Sequence, residues 1–358
     1  MTIHKRCAAL VLASVLVVAW RPDLAAQGLK LRVIQNAMAG DAVTIIDPAT
    51  NTVVGEIPDI EISNGVAAAP DGSRIYVTGE VEHALFVVDA KTMKVKTKVH
   101  LTGRPSAVAV GKDGQRVYVG IQDSGGTGMD IVDATSLSVL KNLPLEGMKT
   151  HYIFVTPDGK YAAATANGGS GPNAAKEALT IRLVDTKTGE YVRKFSGEGT
   201  GGHRVCDFYP NADGSTKWVM CNQGGLNGFV VYDFNTGAIV QRVMNPAHGA
   251  KVHLRNVASA QGSPSHGIAV SPDRRTVVVS DRWYNLVHVY SAPDFTHIYS
   301  VPMAVDPFWF AFTPDGKKLY VSASQSEVVS AIDLEDRKEI ARIHVQAEPK
   351  RIIAAMLR

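Results

Sequence analysis

The chain has 358 residues, a formal net charge of +3, and 45% hydrophobic against 20% charged residues. That length is ample for a large buried core. The near-neutral charge, without a basic stripe, argues against nucleic acid as the partner. From the N-terminus, His4, Lys5 and Arg6 form a positive region ahead of the apolar run Cys7–Trp20, and Leu24-Ala25-Ala26 closes the segment. The run is shorter than a membrane helix requires, so residues 1–26 read as a secretory signal peptide. Cys7 lies against the basic residues and not at the end of the apolar run, unlike a lipoprotein cysteine. No later stretch offers the ~18 consecutive apolar residues of a transmembrane helix. A periplasmic or secreted protein is expected, with residues 27–358 forming one domain.

The organising unit is Gly65–Thr78: a small apolar run, the turn Pro70-Asp71-Gly72, then an alternating β-branched and aromatic run. Pro presets φ, Asp bonds the local backbone and Gly accepts positive φ, so the unit spells a β-hairpin. The turn recurs at Lys112-Asp113-Gly114, Pro157-Asp158-Gly159, Pro210–Gly214, Pro272-Asp273-Arg274 and Pro314-Asp315-Gly316. A second marker follows each, an apolar strand ending in Asp: Asp47, Asp89, Asp133, Asp185, Asp233 and Asp333, with Ser291 in the sixth place. The markers repeat at the ~40–50-residue period of propeller blades. The reading is an all-β, seven-bladed β-propeller with four-stranded antiparallel blades. Leu31–Gln35 lacks a preceding first strand, and Arg351–Met356 is a first strand with nothing after it. The C-terminal strand is therefore expected to pair into the first blade and close the ring, which removes free sheet edges.

Arg74–Thr78, Arg116–Gly120 and Lys318–Ser322, each following an Asp-Gly turn, resemble the YVTN-type β-propeller repeat family, as does Asp47–Ile57. The resemblance covers nearly all of the chain beyond the signal and weakens in blades four and five. It implies an exported seven-bladed, WD40-like repeat protein. Propellers similar in fold include lactonase-like and nitrous-oxide-reductase-like enzymes, and fold by itself does not assign chemistry.

In a propeller the first strand of each blade lines the central channel. Counting back six residues from each turn gives one column: Asn64, Ser106, His151, Arg204, His266 and Phe308, with Lys350 added by the closing strand. His203 precedes this column, and Tyr152, Trp309 and Arg351 follow it. These positions should ring the channel mouth opposite the Pro-Asp-Gly turns. Arg204, Lys350 and Arg351 suit a carboxylate or phosphate; Phe308 and Trp309 suit a ring or sugar. Imidazoles His151, His203 and His266 would suit Zn or Cu, although strand alternation turns His203 the other way. Longer connections at Asn167–Lys176 and Asn245–Pro264, the latter with His248, His253 and Arg255, should emerge on the same face, as should Asp281–Asn285 with Trp283.

Cys206 and Cys221 flank a hairpin turn symmetrically, so they are either a cross-strand disulfide or two buried thiols. Gly197–Gly202 matches G-x-G-x-x-G, but a strand follows instead of a helix, so it reads as a loop. No nucleophile elbow, Cys-x-x-Cys, haem-attachment or EF-hand pattern occurs.

The favoured expectation is a monomeric binding or scaffold module that recognises a small anionic molecule, glycan or protein at the channel mouth. The alternative is a propeller enzyme at the same mouth. A lactone hydrolase would use His151 or His266 as general base with Arg204 or Arg351 polarising the carbonyl; a copper-type oxidoreductase would use the imidazoles as ligands.

Overall fold

The computed structural model describes residues 28–122, 127–166, 180–196, 202–248 and 263–358. The signal segment, the Asn167–Lys176 loop, His253, Arg255 and all but the last residue of the Gly197–Gly202 stretch lie outside them. Among the described residues the strands form seven four-stranded antiparallel sheets. The described residues contain no helix long and apolar enough to cross a membrane.

Each blade follows the expected hairpin logic. In blade two, first strand Ser63–Ala68 pairs with Arg74–Gly79 across the Pro-Asp-Gly turn. Gly72 takes φ +69°, and a Cβ there would come within 2.4 Å of the Met356 carbonyl. Asp71 Oδ1 accepts the Ser73 amide at 3.0 Å, and Asp113, Asp158, Asp213, Asp273 and Asp315 repeat that bond in their own turns. The second marker acts likewise. Asp89 Oδ1 accepts the amides of Lys91 and Thr92 at 3.1 and 3.0 Å, which caps the turn between the third and fourth strands. In blade six Ser291 substitutes, its Oγ accepting the Thr296 amide at 3.1 Å.

The middle strands are buried on both faces because each blade packs between two others. Val77, Val87, Val119, Val231, Val279 and Val321 are fully buried. Removing each such side chain from water contributes about 1.5–3 kcal/mol. Outer strands alternate instead, as in Lys94–His100, because one face meets solvent.

The ring closes as expected. Pro349–Leu357 pairs antiparallel with Lys30–Ala37, from Lys30 opposite Leu357 to Ile34 opposite Ile353. Arg358 donates its amide to Gly72 O at 3.0 Å, tying the terminus to the neighbouring blade. Cys206 and Cys221 lie opposite each other in the blade-five hairpin and form a disulfide, which decides between the two alternatives.

Candidate active site at the channel mouth

Strand registers confirm that the column positions are equivalent, and they reveal a feature absent from simple alternation. The ladder slips at the column in six blades. The slip falls between Ser63 and Gly65, Pro105 and Val108, Thr150 and Tyr152, His203 and Cys206, Pro307 and Phe310, and opposite the Pro349–Ile352 stretch of the closing strand. A β-bulge re-aims side chains and breaks the two-residue period. It lets Phe308 and Trp309, and likewise Lys350 and Arg351, face one cavity although they are sequence neighbours. Buried hydroxyls on the second strand capture the amides freed there. Thr78 Oγ1 accepts from Gly65 at 2.7 Å and Ser322 Oγ from Trp309 at 3.0 Å.

The cavity measures about 240 Å³ and lies on the face opposite the Pro-Asp-Gly turns. Of the expected residues, Asn64, His151, His266, Phe308, Trp309, Lys350 and Arg351 line it. Four others were not foreseen: Met38, Glu80, Arg104 and Gln122. Arg104 directly precedes a channel strand, Met38 and Glu80 directly follow second strands, and Gln122 ends one. Glu80 comes directly after the Arg74–Gly79 strand, and that offset was the available signal.

Arg351 is the hub. It is 6% exposed, donates from Nη1 to both the carbonyl and the side-chain oxygen of Asn64, and reaches the His151 carbonyl from Nη2 at 2.6 Å. Its guanidinium sits 4.7 Å from the Trp309 ring centre and 6.0 Å from that of Tyr152. Asn64 in turn donates to Glu80, and Arg104 pairs with Glu80 at 3.0 Å. Trp309 and Arg351 also line a second, apolar chamber of about 550 Å³ toward the Pro-Asp-Gly end, together with Tyr152, so Trp309 and Arg351 form a septum across the channel.

The imidazoles of His151 and His266 meet edge to face with centroids 5.6 Å apart, and His266 stacks on Phe308 at 3.9 Å. Burial, then the nearby Arg351 and Arg204, hold His151 well below the usual imidazole range. Burial, then His151 and Arg282, do the same to His266. Both rings are neutral at pH 7. His151 Nδ1 lies 3.2 Å from the Arg204 carbonyl, which can only accept. Nδ1 therefore carries the proton, and Nε2 keeps the lone pair a general base needs.

Of the column and its neighbours, Ser106, Tyr152, His203 and Arg204 do not line the cavity, nor does Trp283. His203 is fully buried, with Nε2 3.0 Å from the Tyr232 hydroxyl and the two rings edge to face at 5.3 Å. It points into its own blade, and burial drives its pKa down to about 3. The trio of His151, His203 and His266 is therefore not assembled, and the described residues contain no group of three side chains placed to hold a metal ion. The correction follows the alternation argument: the bulge delivers Arg204 to the column and leaves its predecessor facing inward. Arg204 stands behind the cavity and supplies the carbonyl that orients His151. Trp283 is half-buried, its amide donating to Asp281 Oδ1 at 3.0 Å, and does not line the cavity.

Residues 67–344 match the family described as Lactonase, 7-bladed beta-propeller. The chain belongs to that family. A curated seven-bladed beta-propeller protein of Mycobacterium tuberculosis is 29% identical over 129 residues, 36% of this chain and 31% of the relative. The match thus spans about a third of that relative's length. Among solved structures, a Kuenenia stuttgartiensis hydrazine synthase chain superposes with a TM-score of 0.69 at 18% identity, covering 83% of this chain and 90% of that one. The periplasmic gluconolactonase of Pseudomonas aeruginosa gives 0.69 at 15%, over 92% and 100%. A putative 6-phosphogluconolactonase of Bacteroides fragilis gives 0.68 at 16%, over 92% and 98%. At such identities the likeness carries the fold alone.

Proposed function

We propose that the channel-mouth cavity of this lactonase-family propeller binds a small, oxygen-rich anion of the sugar-acid class and opens the corresponding lactone. The observation that carries this reading is an uncompensated cation excess. Lys350, Arg351 and Arg104 face one cavity whose only acidic lining residue among the described residues is Glu80, already engaged by Asn64 and Arg104. Burial, followed by repulsion from Arg351, lowers the Lys350 ammonium, and burial lowers Arg351 to about 10. Cations held in this way gain most from an incoming anion. The cavity is smaller than the ~300–1,000 Å³ of drug-sized pockets, which suits a monosaccharide-sized ligand. Trp309 and Phe308 offer flat faces to a sugar ring.

In the hydrolytic step His151 Nε2 takes the proton of an attacking water. The lactone carbonyl oxygen collects negative charge beside Lys350 and Arg351; the ring C–O bond then breaks as His151 returns its proton to the departing ring oxygen, which releases the hydroxy acid. Membership of the lactonase family favours this over the copper-type chemistry, as does the separation of His203 from the other imidazoles. The reading retains export of the chain through residues 1–26, a YVTN-type repeat in its blades, and action as a monomer.

The test is isothermal titration with gluconate and pH-stat hydrolysis of glucono-δ-lactone. Wild type should bind and turn over. Lys350→Met should weaken gluconate binding, and His151→Gln should remove turnover while keeping affinity within a few-fold. Binding without turnover would reduce the protein to a binding module. Neither binding nor turnover would overturn the reading.

A further inference from the structure

His266 lies just ahead of the first strand of blade six, where the chain is tied to the second strand by the Arg282 amide on Pro264 O at 2.8 Å and the Ser280 amide on Gly267 O at 3.0 Å. The first strand of blade six is only Ile268–Val270, so its ladder starts two residues after His266. In blades two and four the corresponding strands, Ser63–Ala68 and Thr150–Val155, include Asn64 and His151. The His266 ring has no polar anchor at Nδ1 and rests on Phe308. Something else must fix it.

Around His266 a buried side-chain network spans blades five and six. Ser280 Oγ accepts the amides of both His266 and Gly267, at 3.0 and 2.8 Å. Ser265, next in sequence to His266, accepts the Gly228 amide at 2.9 Å and donates to Asn227 Oδ1 at 3.1 Å. Asn245 Nδ2 bridges the same two, at 3.0 Å to Asn227 and 3.1 Å to Ser265. Asn227 Nδ2 donates to Asp281 Oδ2 at 2.9 Å, and the same carboxylate oxygen lies 3.2 Å from His288 Nε2. His288 Nδ1 reaches the Ser300 hydroxyl at 2.8 Å on the outer strand. Ser265, Ser280, Asp281 and His288 are fully buried. The position of Asp281 is Gly79 in blade two, Ile121 in blade three and Ala323 in blade seven, each the residue five after the opening Arg or Lys of the second strand. A buried carboxylate there has no role in the repeat itself.

We infer that Ser280, Asp281, Asn227 and His288 are positioning residues that set the His266 imidazole in the channel-mouth site. Asp281 Oδ2, accepting from Asn227 and from His288, fixes which way the Asn227 amide faces. The Asn227 carbonyl oxygen is thereby turned toward Ser265 and Asn245, and the chain leading into His266 is pinned. Such supporting shells hold functional side chains within the fraction of an ångström that binding requires. The inference deepens the proposed site and rests on the reading of the cavity that His266 lines as the ligand site.

The experiment uses the full chain without its signal, with Ser280→Ala, Ser280→Thr and Asp281→Asn. Ser280→Thr keeps the hydroxyl, and Thr78 already does this work in blade two. Histidine-selective NMR follows the His266 ring in the free protein, assigned by its loss in His266→Gln, and titration calorimetry follows gluconate. Ser280→Ala and Asp281→Asn should shift or split the His266 ring signals while the His203 signals stay put. Gluconate affinity should fall by roughly ten-fold or more, and Ser280→Thr should restore both readouts. Unchanged His266 signals in both Ser280→Ala and Asp281→Asn would overturn the inference, as would changes that Ser280→Thr fails to reverse. If wild type binds no gluconate, the proposed ligand falls while the ring signals still decide the positioning role.

Discussion

Arg351 on the closing strand donates to the main-chain carbonyl of His151 at 2.6 Å, so the last strand of the chain holds a residue of blade four. The same guanidinium holds Asn64 of blade two. Ring closure and site assembly are therefore one event. Arg351→Gln leaves buried acceptors on Asn64 and His151 and should destabilise the fold by about 1.5–3 kcal/mol, the range for hydrogen bonds to a charged group. Chemical denaturation reads this as a lower midpoint at unchanged slope, and an unchanged midpoint would refute the clamp.

Deleting Pro349–Arg358 removes the first strand of blade one and exposes the edge at Lys30–Ala37. The expected result is an aggregating or non-cooperatively unfolding protein, scored by size-exclusion chromatography and circular dichroism. A monomeric, cooperative truncation would contradict strand closure.

The Cys206–Cys221 bond closes a loop with a sequence separation of 15. Chain entropy assigns about 3 kcal/mol to a loop of that size. Cys206→Ala with Cys221→Ala, or reduction, should lower the denaturation midpoint accordingly. Both sulfurs are buried, so reduction should be slow in the folded protein and fast once it unfolds.

Stability should fall on acidification. His151, His203 and His266 have folded-state values below the ordinary imidazole value of 6.5. The unfolded chain then binds more protons below pH 6.5, so stability is full above that value and declines as pH drops. For His203 the window runs from 6.5 to about 3. Asp207 acts in the opposite sense. Burial raises it from 3.8 to about 6, so its protonation favours the folded state between those values and partly offsets the loss. Denaturation midpoints measured from pH 7.5 to 4.5 should decrease, and His203→Gln should flatten the slope. A profile that rises toward acid would contradict the burial of these rings.

Glu80 is the counter-charge of the site. Glu80→Gln removes the acidic group that lines the cavity among the described residues and should tighten gluconate binding several-fold at low salt, with the gain shrinking as ionic strength rises. Weaker binding would show that Glu80 instead contacts the ligand.

The repeat period, the number of blades, the closing strand and the equivalence of Asn64, His151, His266 and Lys350 all follow from the order of residues. They depend on short-range rules: turn chemistry, the two-residue period of strands and the need to pair every edge. The aim of individual side chains does not, because a bulge is a property of two paired strands and not of either alone. Trp309 and Arg351 were expected at the mouth, but only the tertiary structure supplied the bulge that lets each face the cavity beside its neighbour and set His203 inward against Tyr232. Glu80 and Arg104 joined the site for the same reason, since loops from different blades meet only when the ring has closed. The disulfide, too, was decided by register, once Cys206 stood opposite Cys221.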